Sequence, residues 1–289
     1  MLISPDPAYL SFWLSHILKQ TVTIQEVEKI RTGEKYILNL DNKFLIKQCL
    51  RDLDLPLLHR EKKVLQALSY SECVPQVIHA ENNLLVLEYI NGEPLPFSTL
   101  EDLFIVISQL PNQGKLPKAE PYYLFSDAEY TFLKKFNTKL AEKVRSLRKD
   151  YRYEDVIHGD LKPANIIKDP QGNLKFIDWE YGGSGDRCWE MAMYYSEYLM
   201  SMNSWQEIHT LSPIDDLDLF LYLNPEIQRG LSLVRRYLGP EYPKFVQFLG
   251  VCILGKTVFR SKHKVSSIQS QYSYRLSSAL LLDYHVSIL

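Results

Sequence analysis

The 289-residue chain has only four cysteines, Cys49, Cys73, Cys188 and Cys252, far apart and without a C-x-x-C pair. That spacing offers neither a cysteine zinc site nor a redox pair, and it predicts reduced thiols. Runs of lysine or arginine are missing too. With a formal net charge of −2 there is no electrostatic footprint for nucleic acid and no basic patch for an anionic membrane. No apolar stretch reaches the roughly 18 residues that mark a membrane span. The N-terminus opens with Pro and Asp instead of a basic-then-apolar signal, so a cytoplasmic protein is expected. No period of about 20–50 residues recurs and no low-complexity tract is present, which argues against solenoids and propellers. His79, His209, His263 and His285 are scattered and suggest no metal site. What remains is a chain with 46% hydrophobic residues, ample for a core and suited to one two-lobed domain or two small ones.

Within that ordinary composition one segment carries chemistry. From Val156 to Glu180 the chain reads VIHGDLKPANIIKDPQGNLKFIDWE, with Asp160, Asn165 and Asp178 at spacings suited to phosphoryl transfer. A nucleotide triphosphate brings charge that must be neutralised and a hydroxyl that must be aimed. Asp160 would orient the attacking hydroxyl and accept its proton, while Asn165 and Asp178 would offer hard oxygen ligands to Mg²⁺. Short β-branched runs flank the Asp169–Gly172 turn, so the segment reads as a small hairpin with functional groups at its ends.

These residues resemble the catalytic core of the aminoglycoside phosphotransferase and choline kinase superfamily, relatives of the protein kinases. His158, Gly159, Asp160 and Leu161 followed by Asn165 match its loop, and Ile177–Glu180 is similar to its metal-binding segment. Protein kinases usually carry Arg at the position of Gly159 and Phe-Gly at that of Trp179 and Glu180. Both differences point to the small-molecule branch. Gly185, Asp186, Glu190, Met191 and Ala192 resemble the family's G-D-x-x-x-D-L-A element, which the resemblance makes structural. Lys162 stands in wording closer to protein kinases, where that Lys touches the transferred phosphate and the substrate hydroxyl. His158 is expected to brace the loop by hydrogen bonding.

The resemblance implies an α+β, bilobal, protein-kinase-like fold. An antiparallel-sheet N-lobe with one main helix would span residues 1–90, and a mostly helical C-lobe residues 91–289. Apolar spacing predicts a helix over Tyr9 to Lys19, then three antiparallel strands beginning at Thr21, at Tyr36 and at Phe44. Lys47 ends the third strand in a setting that resembles the V-A-I-K strand whose Lys holds nucleotide phosphates. A helix carrying Leu57, Leu58, Glu61, Val64, Leu65 and Leu68 follows, and Glu61 could pair with Lys47. Gly33 is the only glycine in the turn that would cover the phosphates, and hairpins need such a residue for ordinary steric reasons as well. The run Leu84–Leu87 ending in Glu88, Tyr89 and Ile90 looks like a hinge, where the carbonyl of Glu88 and the N–H of Ile90 would read adenine.

Pro111 to Pro121 reads as a loop, and Phe132, Phe136, Leu140, Val144 and Leu147 mark one helical stripe. Acceptor choice is expected after Ala192, where Tyr194, Tyr195, Tyr198 and Trp205 precede the acids Asp215, Asp216 and Asp218. Aminoglycosides would want carboxylates and a quaternary amine an aromatic cage, although such aromatics are more often core. The expected activity is transfer of the γ-phosphoryl group of ATP, with Mg²⁺, to a hydroxyl of a small molecule. No nucleic-acid or membrane partner is expected. A protein kinase and a catalytically idle nucleotide-binding module are the competing readings.

Overall fold

In the computed structural model, which describes residues 3–31, 35–96, 101–111, 116–119, 127–201, 225–260 and 268–282, helix α1 (Pro7–Leu18) begins at Asp6. The Asp6 carboxylate accepts the Tyr9 N–H at 2.7 Å. Pro7 follows in the first turn, where its missing N–H is no loss. Leu10 and Leu14, one turn apart, form the buried face, and the helix stops at Lys19 with a left-handed φ of 52°.

The strand expected from Thr21 starts only at Val27. Residues 21–25 instead run along α1, where the Ser15 and Ser11 hydroxyls each accept a backbone N–H, from Val22 and Ile24 respectively, at 2.8 Å. Both hydroxyls donate in turn to the helix carbonyl four residues back. Helix hydroxyls thus satisfy the backbone that a neighbouring strand would otherwise satisfy.

Strands β1 (Val27–Arg31), β2 (Lys35–Leu40), β3 (Phe44–Cys49), β4 (Val77–Ala80) and β5 (Leu84–Glu88) form one antiparallel sheet in the order β1-β2-β3-β5-β4. The sheet therefore has two strands beyond the three expected at its start. Alternation sorts its two faces. Leu38, Leu40, Ile46 and Val86 join Leu10 and Leu14 of α1 in one core, whereas Ile37, Leu45, Lys47 and Leu87 line a cavity. Strand β5 lies inside the sheet and is buried from Leu84 to Leu87, which explains its unbroken apolar run. Helix α2 (Leu55–Ala67) buries Leu58, Glu61, Val64 and Leu65. A smaller sheet joins β6 (Glu93–Pro94) to the hairpin expected around Asp169, formed by β8 (Ile166–Lys168) and β9 (Leu174–Phe176). Gly92, at φ 147°, approaches that hairpin so closely that a Cβ would lie 2.2 Å from the Lys168 carbonyl oxygen. Only glycine fits there.

The described residues fall into two compact units, one drawn from 1–95, 109–119 and 163–184, the other from 96–108, 120–162 and 185–289. The second contains strand β7 (Asp155–Ile157) and most of the helices: α3 (Glu101–Gln109), α4 (Asp127–Phe136), α5 (Thr138–Asp150), α6 (Arg187–Ser201), α7 (Pro225–Leu238), α8 (Tyr242–Arg260) and α9 (Ile268–Leu282). Its core is α8 packed against α6 and α9. Lys256 of α8 is fully buried, its ammonium 2.7 Å from Glu197 and 2.6 Å from the Ser196 hydroxyl of α6. A buried cation so compensated ties the two helices together. No helix among the described residues is long and apolar enough to cross a membrane.

The stripe from Phe132 to Leu147 is not one helix but two, because Asn137 interrupts it with extended backbone and caps α5. Its side-chain oxygen accepts the Leu140 N–H at 3.0 Å and its amide donates to the Tyr274 hydroxyl at 3.3 Å. Replacing an Asn cap by Ala costs about 1 kcal/mol. Asn137→Ala is expected to lose about that much in urea unfolding and Asn137→Asp less; an Ala variant as stable as the parent would contradict the cap.

Candidate active site

Lys47 is a charged residue on a strand whose neighbours are core, and its side chain is almost wholly buried. Its Nζ lies 2.7 Å from Glu61 Oε1 of α2 and 2.7 Å from Asp178 Oδ1. Burial alone would lower the lysine pKa, but the two carboxylates outweigh it and raise it above the usual lysine range. The ammonium therefore stays charged, held between two anions. The other Glu61 oxygen, Oε2, is buried with no hydrogen-bond partner.

Asp178 reaches Lys47 from the end of the β8–β9 hairpin. The hairpin turn is built by Asp169, whose Oδ1 accepts the N–H groups of Gln171 at 3.0 Å and Asn173 at 2.7 Å. At the other end the Ile177 N–H donates to the Asn165 carbonyl at 2.9 Å, which fixes Asn165 and Asp178 on the same side. Asp178 itself takes a φ of 66°, a conformation that costs a non-glycine residue energy and tends to persist at functional sites. Behind it Trp179 is fully buried, its indole N–H donating to the Phe176 carbonyl at 2.7 Å.

Lys47, Asn165 and Asp178 line one cavity of about 360 Å³, walled by Leu45, Leu87, Ile167 and Ile177 and bordered by Glu88, Tyr89 and Ile90. A concave site with apolar walls and few polar groups suits a flat ring carrying a charged tail. The carboxylates of Glu61, Asp178 and Glu180 offer oxygens within 4.8 Å of one another. Together with the Asn165 amide they are the hard donors that Mg²⁺ prefers, so the residues fit that ion. Sequence reading did not single out Glu180; its signal was only the acid two residues after Asp178.

Asp160 and Lys162 belong to the other unit, and the chain passes from it to the first at Pro163. Lys162 Nζ lies 2.5 Å from Asp160 Oδ2. The loop that carries them hangs on a residue not expected to be functional. Glu190 of α6 accepts the His158 N–H at 2.7 Å and the Gly159 N–H at 3.1 Å, one on each carboxylate oxygen. Gly159 has a φ of 80°, which explains glycine in place of the arginine of protein kinases. His158 adds a weaker brace, its Nδ1 accepting the Asp160 N–H at 3.4 Å.

Gly33, Trp205, Asp215, Asp216 and Asp218, along with His209, His263 and His285, lie outside the described residues. Tyr194, Tyr195 and Tyr198 are core, with the Tyr195 hydroxyl donating to the Ile227 carbonyl at 3.0 Å. All four cysteines are free. Burial, reinforced by Asp186, pushes the Cys188 thiol up to about 12, so it is no nucleophile at neutral pH.

Burial pushes the Glu190 carboxyl up from its ordinary 4.5 to about 7; the two N–H donors pull it down and Asp160 pushes it further up. The folded state then holds a proton that the unfolded chain releases between pH 4.5 and 7. Stability from this group is present at low pH and is lost as pH rises through 7. Relative to Glu190→Gln, the parent is expected to lose up to about 3 kcal/mol between pH 5 and 8. Urea unfolding of both proteins at each pH measures it, and a pH-independent difference would remove the assignment.

The profile of the choline/ethanolamine kinase family matches residues 118–271 of the chain. No curated protein matches it. Among solved structures, the choline kinase LicA from Streptococcus pneumoniae is 17% identical, with a TM-score of 0.59 over 96% of this chain and 100% of the other. LicA is also matched in a complex with AMP. An ethanolamine kinase from Plasmodium vivax is 14% identical, with a TM-score of 0.59 over 97% of this chain and 89% of its own. An aminoglycoside phosphotransferase solved with GDP and kanamycin is 13% identical, with a TM-score of 0.50 over 95% and 98% of the two chains. At such identities the likeness establishes the fold, which is the bilobal protein-kinase-like α+β fold. The profile match, covering more than half of the sequence, establishes more: the chain belongs to the choline/ethanolamine kinase family of small-molecule phosphotransferases.

Proposed function

We propose that the chain transfers the γ-phosphoryl group of ATP to a hydroxyl of a small molecule in the cytoplasm, an amino-alcohol, a sugar or an aminoglycoside-like compound. The observation that carries the reading is the buried Lys47 ammonium, shared by Glu61 and Asp178 at the wall of an apolar cavity that Asn165 also lines. In this reading Lys47 holds the α and β phosphates and Glu61 fixes the angle of its arm. The adenine edge is read by the carbonyl of Glu88 and the N–H of Ile90, with Leu45, Leu87 and Ile177 against the ring. Asn165 and Asp178 would hold Mg²⁺, with Glu180 near enough to help. When bound, the ion neutralises charge on the phosphate oxygens.

Asp160 receives the acceptor. Its carboxylate takes the hydroxyl's hydrogen bond, points the oxygen lone pair at phosphorus and accepts the proton as the new O–P bond forms and the bond to the bridging oxygen of ADP breaks. Lys162 steadies the transferred group and, between turnovers, pairs with the base. Glu190 holds the loop in the shape that presents both.

Asp160→Ala is expected to slow acceptor-dependent ADP release by a factor on the order of 10²–10⁴, with nucleotide affinity, measured calorimetrically, changed by less than about twofold. A fully active variant would end the assignment of Asp160 as base.

A further inference from the structure

We infer that the Glu61 carboxylate is a metal ligand as well as the partner of Lys47: with Asp178 and Glu180 it holds a divalent cation in the nucleotide-free protein, at a position beside the ion that Asn165 and Asp178 would share with a nucleotide. This deepens, and rests on, the reading of the Lys47 cavity as the place of the nucleotide. It adds a cation that arrives first.

Glu61 is 1% exposed, and a carboxylate so buried is tolerated as an anion only when its oxygens are compensated. Oε1 has the Lys47 ammonium at 2.7 Å. Oε2 has no hydrogen-bond partner, and among the described residues it is the one buried carboxylate oxygen of which this is true. Lys47 does not fill the place, because its Nζ already stands 2.7 Å from both Oε1 and Asp178 Oδ1. What surrounds the orphan oxygen is more negative charge: ligand atoms of Glu61, Asp178 and Glu180 lie within 4.8 Å of one another. A water molecule would satisfy the oxygen and leave the carboxylates crowded. A divalent ion satisfies it and offsets their repulsion as well.

The spacing suits one ion. Hard divalent cations bind oxygens at about 2.0–2.6 Å, so oxygens on one ion stand up to about 5 Å apart. Asp178 and Glu180 have other partners too, but an ion asks one oxygen of each, and the unsatisfied one is Glu61's. The ammonium nearby weakens the site, so the expected dissociation constant is on the order of 10⁻⁴–10⁻³ M, as at weak oxygen-ligand sites. The consequence is mechanical. Glu61 comes from α2 and the two acids from the segment after β9, so the ion ties helix to hairpin before a nucleotide binds.

Mn²⁺ is the probe, since it takes the same carboxylate ligands and its paramagnetic resonance signal is lost on binding. Without nucleotide, the wild type is expected to take up one ion per chain. Glu61→Gln keeps the shape and an oxygen for Lys47 but removes the charge. It is expected to weaken uptake by at least about tenfold, the least that even a group supporting a ligand is worth. Glu180→Gln, at a half-buried residue, is expected to do the same and carries the comparison if the Glu61 variant folds poorly. Asn165→Ala is expected to change this uptake by less than about twofold, which separates the site from that of the nucleotide-borne ion. Mn²⁺ should also raise the thermal midpoint of the wild type more than that of either glutamine variant. A wild type that takes up no Mn²⁺ without nucleotide at about 10 mM, uptake unmoved by both glutamine variants, or a loss in Asn165→Ala as large as in Glu61→Gln would overturn the proposal. Failure of the phosphotransferase reading looks different, since it shows as intact ion uptake in a protein that releases no ADP with any acceptor.

Discussion

A lysine ammonium removed from water needs counter-charge, and at Lys47 two carboxylates from distant parts of the chain supply it. Glu61 comes from the helix after the third strand and Asp178 from beyond a hairpin more than a hundred residues later. Removing one partner from a buried pair costs roughly 3–5 kcal/mol, far more than a surface ion pair contributes. That asymmetry makes the trio a constraint on the whole first unit. The register of β3 must aim Lys47 at the cavity, α2 must present Glu61 from its buried face, and the hairpin must deliver Asp178 even at the expense of a left-handed backbone. The apolar walls follow from the same register, since alternate residues of β2, β3 and β5 point into the cavity with Lys47.

The second unit solves a different problem, how to hold a short irregular loop still. Backbone N–H groups that leave regular structure need acceptors, and Glu190 supplies two oxygens from a helix that is itself immobilised in the core. The helix is pinned at its start by Asp186, which accepts the N–H of Cys188 and of Arg152. It is pinned further along by the buried Lys256 ammonium. Rigidity therefore runs from packed apolar surface through hydrogen bonds to the two side chains of Asp160 and Lys162.

Much of this was legible in the sequence, and the limits are physical. Lys47 and Glu61 could be matched because a strand end and a helical stripe fix which way side chains point. Asn165 and Asp178 could be expected together because a short hairpin around the Asp169 turn brings its two ends side by side, and both line the cavity. Glu190 could not be assigned a task, since an acid in an apolar helix says that it is paired but not with what; its partners are backbone groups, which leave no mark in sequence. The same holds for Ser11 and Ser15, whose hydroxyls replace a strand that alternation had suggested. Asn137 was overlooked because the apolar period continues through it, and only extended backbone reveals the break. The tyrosines of α6 are core, the commoner fate of such an aromatic run.

The charge balance around Lys47 bears on what that cavity can hold. Around Lys47 one ammonium faces three carboxylates, those of Glu61, Asp178 and Glu180, and one buried oxygen of Glu61 has no partner at all. Carboxylates crowded in this way repel one another unless a cation joins them. The excess of negative charge is what a divalent ion would offset, and it would free Lys47 from Asp178 for phosphate.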